Sequence, residues 1–310
     1  FYTEIILGLP DETFESFIQG LMTLLYEDID ELRVYPLSLL PNAELASPES
    51  REKYCLQTKS LEIERLGYWG SGPREFLEIV TGTKTMSEEE IIKSWVFVFT
   101  LQTFHINKWL KYVSIFLDRE HGINYRNFYE HLISAVGLNS ARYPRINKII
   151  SSFEALAKNH QTIGTHFQLS NHKIYLYPFG YASWLIEEDR NSFFREIKDF
   201  VYSNFLVDLP ADLLKYQSDI IVSHRYNSKQ GCQNEYAFNW VDYYEASAPL
   251  RASPQRISYA DRSFAIDKVS FNPGDMLGWL RAVVGLSYRF KTMIHQPETR
   301  KTTESIHSHM

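Results

Sequence analysis

The sequence predicts a mixed α/β protein that begins with two parallel strands joined by a helix and continues as a mainly helical region with a few short strands. Two observations support this expectation. The first 36 residues change from a strand-like to a helical spacing of apolar residues and back again, whereas long helical patterns dominate the later chain. The length of 310 residues, with 44% hydrophobic and 23% charged residues, suits two domains or one barrel-sized domain with an appendage.

The opening strand, helix and strand follow from their residues. An apolar run over residues 1–7 predicts the first strand, and Gly8-Leu9-Pro10 ends it, because Gly supplies turn conformations and Pro fixes φ at a helix start. Residues 11–13 place acidic and capping oxygens where a helix begins. Apolar residues then recur at helical spacing: Phe14, Phe17, Ile18, Leu21, Leu24 and Leu25. A second strand at 32–37 completes a unit that implies a parallel pair with a right-handed crossover, as in an α/β barrel or an open α/β sheet.

Beyond this unit the pattern becomes mainly helical. Residues 48–82 look irregular. Ser87 and Glu90 form a capping-box pattern, and the helix that they open is apolar on most sides through Phe116, which predicts a central position. Further helices are expected at 125–136, 146–169, 184–205, 211–223 and 273–293, and short strands at 235–240 and 256–259.

The composition argues against several classes of protein. A formal net charge of −6, from 32 Lys+Arg against 38 Asp+Glu, argues against a nucleic-acid partner, since such binding needs a concentrated basic face. Cys55 and Cys232 are too few and too far apart for a disulfide framework, a structural zinc site or an iron–sulfur cluster within this chain. The longest uncharged stretch around the most apolar helix, residues 94–107, is shorter than the ~20 residues of a membrane span.

Short catalytic motifs are absent from the sequence. No two of the ten histidines form a His-x-x-x-His pair, and the six-residue spacing of His160 and His166 would not place them on one helix face. The sequence contains no Gly-x-Ser-x-Gly elbow, no phosphate-binding loop ending in Gly-Lys-Ser/Thr and no Gly-x-Gly-x-x-Gly fingerprint. No short motif in the sequence therefore indicates a hydrolase, a nucleoside triphosphatase or a dinucleotide-dependent enzyme.

The strand-to-helix turn at residues 8–13 is the best candidate for a binding site. In α/β sheets and barrels, ligands bind at the carboxyl ends of the strands. Gly8 would let the backbone approach a ligand closely, and Glu12 would brace the turn by accepting backbone N–H groups. The alternative is a tight strand-to-helix connection with a good cap, and the spacing alone leaves both interpretations open.

Two N-terminal segments resemble the later part of a known barrel family. They are Glu4-Ile5-Ile6-Leu7-Gly8-Leu9-Pro10-Asp11-Glu12-Thr13-Phe14-Glu15-Ser16-Phe17 and Tyr35-Pro36-Leu37-Ser38-Leu39-Leu40-Pro41-Asn42-Ala43-Glu44-Leu45-Ala46. Both are similar to segments of radical S-adenosylmethionine enzymes, and more narrowly of the cobalamin-binding-type branch. Weaker similarity runs through 83–90, 213–217 and the helix around Trp279. The resemblance implies the fifth and sixth strands of a partial TIM-type barrel, followed by a mainly helical C-terminal domain.

The resemblance also implies a division of the chain. Residues 1–55 would form the C-terminal part of the barrel, 56–295 a mainly helical C-terminal domain and 296–310 a flexible tail. Because the chain opens inside a strand and has no initiator methionine, we expect the earlier barrel strands to precede Phe1. The two strands would then expose an unpaired edge, which favours aggregation of the isolated chain.

The family uses cofactors that the resemblance extends to this protein. Its members hold a four-iron, four-sulfur (4Fe-4S) cluster through a Cys-x-x-x-Cys-x-x-Cys loop and cleave S-adenosylmethionine to a 5′-deoxyadenosyl radical. Those that use cobalamin support methyl transfer and other radical chemistry. This chain lacks the cysteine triplet, so the cluster ligands are expected upstream and the isolated chain is expected to be inactive. The implied partners are a small-molecule substrate and a reductant protein, without nucleic acid or a membrane span, in the cytoplasm.

The resemblance implies six cofactor-binding residues. They are Ile6, Gly8 and Glu12 at the end of the first strand, and Val34, Tyr35 and Leu37 on the second. Ile6 and Gly8 would line the adenine and ribose side of the S-adenosylmethionine pocket, and Glu12 would brace the turn. The second-strand residues would flank the adenine through backbone and apolar contacts. Residues 70–73 and His105 are further candidates for contact with the substrate.

Two other functions stay open. The missing cluster ligands and the long apolar helices are also typical of a non-catalytic helical protein-interaction module. A different barrel enzyme is the third interpretation, and it requires a complete set of eight strands within the chain.

Overall fold

A computed structural model of the chain describes residues 2–62, 76–138, 141–162, 164–225, 232–245, 255–259 and 272–284. Within these ranges the strands are β1 (Tyr2–Leu7), β2 (Glu31–Pro36), β3 (Gln57–Glu62), β4 (Phe76–Gly82), β5 (Thr165–Leu169), β6 (His172–Leu176), β7 (Cys232–Tyr236) and β8 (Gln255–Tyr259). The α-helices are α1 (Phe14–Tyr26), α2 (Pro48–Lys53), α3 (Glu88–Leu101), α4 (Lys111–His121), α5 (Tyr125–Leu138), α6 (Pro144–Lys158), α7 (Pro178–Glu188), α8 (Arg190–Phe205), α9 (Ala211–Asp219), α10 (Trp240–Glu245) and α11 (Met276–Trp279). The protein is thus mixed α/β and mainly helical, as the sequence predicts.

The N-terminal strand, helix and strand form the predicted parallel unit. β1 and β2 pair in parallel along their whole length. α1 begins with a reciprocal cap, in which Thr13 Oγ1 accepts a hydrogen bond from Ser16 N and Thr13 N donates one to Ser16 Oγ. The apolar face of α1 shares one core with Leu7 of β1 and Val34 of β2. The predicted strand–helix–strand arrangement is therefore confirmed.

The β1–β2 pair buries one face and leaves the other open. Leu7, Leu32 and Val34 are buried on the side that faces the helices. The opposite side carries Tyr2 and Ile6, which are 65% and 43% exposed. Among the described residues, β1 and β2 form the parallel pair and the other strand pairs are antiparallel. The partial barrel therefore stays a prediction.

The described residues 48–62 and 76–82 are more regular than predicted. They contain α2 and the antiparallel pair β3–β4. The chain after β2 also pairs with β4, through an isolated bridge in which Val80 N donates to Leu37 O and Leu39 N donates to Glu78 O, each at 2.8 Å. The expectation of irregular structure was wrong because β3 is polar and largely exposed, so backbone pairing with β4 forms it without a buried apolar face.

The central helix is confirmed but is shorter than predicted. Ser87 and Glu90 form the expected capping box, and α3 is buried around most of its circumference. The helix does not continue to Phe116. After α3 the chain widens into a π turn at Gln102–Ile106, and Lys108 takes a φ of +61°, which a regular right-handed helix does not contain.

The helix predicted at 146–169 was also too long. α6 ends at Lys158, and β5 and β6 form an antiparallel hairpin after Gly164, which has a φ of +121°. The predicted helix at 211–223 likewise ends at Asp219, as α9. The apolar spacing continues past both ends. After α6 it is interrupted by His160, whose φ of +56° does not continue a right-handed helix.

The helix predicted at 184–205 is two helices. Asp189 lies between α7 and α8, and its side chain accepts a hydrogen bond from Ser192 N. This cap starts a new helix within the polar residues 187–192, which separate the apolar positions of the two helices. The 125–136 helix is confirmed as α5 and the 256–259 strand as β8.

The last predicted elements are partly confirmed. The strand expected at 235–240 is β7, which ends at Tyr236, and α10 begins at Trp240. The final helix is short, since α11 is followed by a π turn at Leu280–Val284. The rest of that predicted helix, the tail at 296–310 and the 70–73 loop lie outside the described residues.

One hydrophobic core runs through the N-terminal unit and the helical region. Polar contacts also join them: Arg126 makes a bidentate pair with Glu15, and the Tyr26 hydroxyl donates to Asp118 at 3.1 Å. The division at residue 55 stays a prediction, but a shared core crosses it. No described helix is long and apolar enough to cross a membrane.

Candidate functional site

The carboxyl ends of β1 and β2 meet at a tight turn around Gly8. Gly8 has a φ of +96°, which side chains of L-residues rarely adopt, so the turn requires glycine. A Cβ at this position would lie 3.7 Å from Ile91 Cδ1 and 3.8 Å from both Leu37 Cβ and Val80 Cγ1. The turn therefore packs against α3, β4 and the end of β2, and protein fills the side of Gly8 that faces them.

Ile6 and Tyr35 are cross-strand neighbours on the open face, just below this turn. Ile6 is partly exposed and Tyr35 is half-buried, so an aliphatic and an aromatic side chain border the same open surface. Aromatic rings of this kind stack on flat ligands. The structure thus brings together two of the six residues that the family resemblance implies.

Val34 and Leu37 do not share this surface. Successive strand residues point to opposite faces, so Val34 points into the main core. Leu37 joins Leu39 and Val80 in a small separate cluster. Both side chains hold β2 in place by packing, and the backbone N–H and C=O of Leu37 are already bonded to Leu7 O and Val80 N.

Glu12 does not brace the turn in the predicted way, because Thr13 supplies the side-chain cap of α1. Glu12 contributes through its backbone: its N–H donates to Leu9 O at 3.3 Å, and its carbonyl accepts a hydrogen bond from Thr85 Oγ1 at 2.7 Å. Glu12 Oε2 is buried and has no hydrogen-bond partner among the described residues. Burial raises the pKa of this carboxyl above its ordinary value, whereas accepting N–H bonds would lower it.

Thr83 and Thr85 support the turn, and the sequence argument did not identify them as site residues. Thr83 Oγ1 accepts hydrogen bonds from Thr85 N at 3.3 Å and from Met86 N at 3.1 Å. This local turn orients Thr85 towards Glu12. The Thr-x-Thr-x-Ser pattern that ends at Ser87 is a sequence signal for this local turn. The contact between Thr85 and Glu12 spans 73 positions, so no local pattern indicates it.

A charged layer lies one step below Ile6 and Tyr35 on the open face. Arg33 stands opposite Glu4 in the β1–β2 register, and its guanidinium lies 3.1 Å from the Glu4 carboxylate and 2.7 Å from that of Glu31. Hydrogen bonding to these carboxylates, Glu31 foremost, raises the pKa of Arg33. The open face is therefore apolar near the Gly8 turn and charged near its base.

A second ion pair fixes the hairpin that packs on the turn. Arg51 of α2 donates two hydrogen bonds of 2.7 Å to the Glu78 carboxylate, and Thr58 Oγ1 donates a third at 2.6 Å. The Arg51 guanidinium holds the pKa of Glu78 at about 2, well below its usual range. Because Glu78 is on β4, this clamp also holds Val80 against Gly8.

The described residues offer no metal site: no three His, Cys, Asp or Glu among them are placed to hold a metal ion. Cys55 is an exposed free thiol. His105 is fully buried, with its Nδ1 3.1 Å from the Tyr129 hydroxyl and 3.3 Å from Ser114 Oγ, and burial lowers its pKa well below the ordinary value. His105 thus belongs to the interior of the helical region.

Comparison with known proteins extends the similarity over nearly the whole chain. No family model matches it. The chain is 32% identical over 321 aligned positions to the "Cobalamin-dependent radical SAM methyltransferase TokK" of Streptomyces tokunonensis. It is 29% identical over 315 positions to the "2-(S-pantetheinyl)-carbapenam-3-carboxylate methyltransferase" of Streptantibioticus cattleyicolor. Each alignment covers 95% of this chain and 46% of the relative, so the chain spans about half the length of the curated relatives it matches.

Proposed function

This chain is related along nearly its whole length to the cobalamin-binding branch of the radical S-adenosylmethionine superfamily, and on that premise we propose that the complete protein is a cobalamin-dependent methyltransferase of this superfamily. We further propose that it acts on a small-molecule substrate and receives electrons from a reductant protein. The observation that carries the proposal is the similarity over 95% of the chain to two proteins named as methyltransferases.

The β1–β2 unit supplies residues that suit S-adenosylmethionine. Ile6 and Tyr35 offer an apolar and aromatic surface for the adenine ring, and Gly8 gives the turn its shape. Glu12 Oε2 is buried and has no hydrogen-bond partner among the described residues, so it could accept a hydrogen bond from a hydroxyl or amino group of a ligand at the strand ends. When bound to a reduced iron–sulfur cluster, S-adenosylmethionine supplies a radical, and with cobalamin it supplies the methyl group.

The chain does not fit the iron–sulfur cluster itself. Cys55 and Cys232 are its two cysteines, whereas a cluster loop of this superfamily uses three closely spaced thiolates. We therefore propose that residues 1–310 contribute two late strands of a partial TIM-type barrel together with the helical region. On this proposal the isolated chain binds no cluster and does not cleave S-adenosylmethionine.

The decisive experiment uses the complete protein that contains this chain. After anaerobic reconstitution with iron, sulfide and hydroxocobalamin, we expect incubation with S-adenosylmethionine and a low-potential reductant to yield 5′-deoxyadenosine and S-adenosylhomocysteine, quantified by mass spectrometry. Residues 1–310 alone, treated identically, should yield neither product. If the complete protein also yields neither, the methyltransferase proposal fails and the non-catalytic interaction module replaces it.

A pair of tyrosine variants tests the proposed adenine surface. Tyr35→Ala should weaken S-adenosylmethionine binding by roughly tenfold, because stacking of a base on an aromatic ring contributes about 1–3 kcal/mol. Tyr202→Ala on α8 removes an equally large but exposed side chain and should leave binding unchanged. Isothermal titration of the reconstituted protein measures both affinities, and equal affinities for the two variants would remove Tyr35 from the site.

A further inference from the structure

The junction between α3 and α4 contains a π turn that brings a buried amide to the sheet. Asn107 N donates to Gln102 O at 2.9 Å, which is the i to i+5 spacing of a π turn. Such turns are rare and frequently occur at functional sites. Gln102 is the first residue of the turn and is 7% exposed.

Gln102 makes a contact that the buried hydroxyl side chains of the preceding helix α3 do not make. Its Nε2 donates to the backbone carbonyl of Leu32 in β2 at 3.0 Å. Ser94 and Thr100 are buried as well, but their hydroxyls donate to carbonyls of their own helix, four residues earlier. The amide of Gln102 thus joins the helical region to the backbone of the strand that carries Tyr35.

The hydrogen bond from Gln102 lies on the edge of β2 that faces away from β1. Leu37 N donates to Leu7 O, and in a parallel pair alternate residues point to the same neighbour, so the odd-numbered residues of β2 face β1. The Leu32 carbonyl therefore points outward and meets Gln102. β2 ends at Pro36, which has no N–H, and beyond the strand Leu37 O accepts a hydrogen bond from Val80 N of β4.

We propose that Gln102 is a positioning residue for the cofactor surface. Its amide holds the amino-terminal end of β2, and β4 holds the residue that follows its carboxyl-terminal end, so the strand keeps one orientation and presents Tyr35 to the ligand. The inference rests on the proposed function, since it concerns the same S-adenosylmethionine site. Leu32 and Gln102 are 70 positions apart, so the contact couples the helical region to the strand pair.

The first test uses hydrogen exchange, and not enzyme activity, to measure how strongly Gln102 stabilises the backbone of β2. Gln102→Met keeps the length and shape of the side chain but removes the donor, and Thr100→Val is the matched control because it removes a buried hydroxyl that bonds only within α3. In the complete protein, hydrogen exchange at residues 31–37 should become roughly tenfold faster in Gln102→Met and stay unchanged in Thr100→Val. Unchanged exchange in Gln102→Met would overturn the proposal.

The second test asks whether this hold matters for the cofactor. Gln102→Met should weaken S-adenosylmethionine binding at least fivefold. Thr100→Val should leave binding unchanged when each variant is measured equally far below its melting temperature. If Gln102→Met does not fold, Gln102→Asn, whose side chain is one methylene too short to reach Leu32, takes its place. Faster exchange at β2 with unaltered affinity would overturn the positioning role, whereas a wild-type protein that binds no S-adenosylmethionine would overturn the proposed function itself.

Discussion

A substitution at Gly8 separates the effect of the backbone conformation on stability from the effect of steric crowding. Its φ of +96° penalises any side chain, while the space beside it would admit a Cβ at ordinary contact distances from Ile91, Leu37 and Val80. The cost of a substitution here is therefore conformational and not steric.

We expect Gly8→Ala to reduce the free energy of unfolding by about 1–3 kcal/mol, the usual cost of forcing a non-glycine residue into such a conformation. Gly20 is the matched control, since it lies within α1 with open space around it. Gly20→Ala should increase stability by roughly 0.5–1 kcal/mol, because alanine is the better helix former. Urea denaturation of the chain measures both, and two changes of the same sign would contradict this account.

The second prediction at this scale concerns the buried imidazole of His105. It lies against the hydroxyls of Tyr129 and Ser114, and burial together with the charges of Lys111 and Lys108 lowers its pKa. Below about pH 6.5 the unfolded chain takes up a proton at this histidine but the folded chain does not. Stability should therefore fall as the pH is lowered, by up to about 1.4 kcal/mol per pH unit from this group.

His105→Gln should lack this component. We expect it to be less stable than the wild type at pH 8, and the difference should shrink as the pH falls from 6.5 to 5. The free energies of unfolding, measured in urea at each pH, give the two slopes. His160, whose pKa is also lowered by burial, is present in both proteins and cancels in the comparison. Equal slopes of the free energy of unfolding against pH in the two proteins would show that His105 does not contribute to the pH dependence of stability.

At the scale of the elements, helix caps could be predicted from the local sequence, whereas helix breaks that depend on distant residues could not. The Ser87 and Glu90 pattern predicts the start of α3 correctly, because both partners lie within one turn. The π turn after α3 and the αL residue Lys108 have no comparable sequence pattern. Gln217 of α9 bonds the backbone just after the π turn: it donates to Lys108 O and accepts a hydrogen bond from Tyr112 N of α4 at 2.8 Å. A break that depends on a residue more than 100 positions away cannot be read from local spacing.

The end of α8 gives a prediction of its own. Leu206 follows the last turn with a φ of +56°, and its side chain is 81% exposed. A left-handed conformation costs a non-glycine residue about 1–2 kcal/mol, and here no buried contact of the side chain offsets that cost.

Leu206→Gly should therefore stabilise the protein by about 1 kcal/mol, since glycine is the preferred residue at this position of a helix end. Leu206→Ala removes the same exposed side chain but keeps the Cβ, so it should change stability by less than about 0.5 kcal/mol. Thermal denaturation followed by circular dichroism distinguishes them. An equal response to both substitutions would mean that the side chain, and not the backbone, determines stability here.

At the scale of the whole molecule, the sequence predicted the fold class and the parallel strand pair but only part of the candidate site. The family resemblance implies Ile6, Gly8 and Tyr35, and the register of β1 and β2 places Ile6 opposite Tyr35. The Thr85 contact was not predictable, because it comes from an element on the far side of the β3–β4 hairpin. Glu12 was expected to brace the turn by accepting backbone N–H groups, but Thr13 supplies the side-chain cap of α1.

The open face and free edge of β1 lead to the last prediction. Parallel strands are normally covered on both faces, yet Tyr2 and Ile6 are exposed. By the alternation that points Leu7 O towards β2, the N–H groups of Glu4 and Ile6 point away from β2, along the outer edge of β1. Within the described residues no strand pairs with that edge. Residues 1–310 in isolation should therefore self-associate through β1 as the protein concentration rises.

A proline scan of β1 separates edge pairing from general instability. Ile6→Pro removes an outward N–H and leaves the β1–β2 hydrogen bonds intact, so the chain should stay folded and its self-association should fall. Ile5→Pro removes an N–H that points into the pair, so it should lower the melting temperature and increase aggregation. Sedimentation velocity over a concentration series, with circular dichroism as the folding control, follows both variants. The contradicting result is a wild-type chain that stays monomeric at high concentration and melts cooperatively. It would mean that the outer edge of β1 does not need another strand, which argues against the partial barrel.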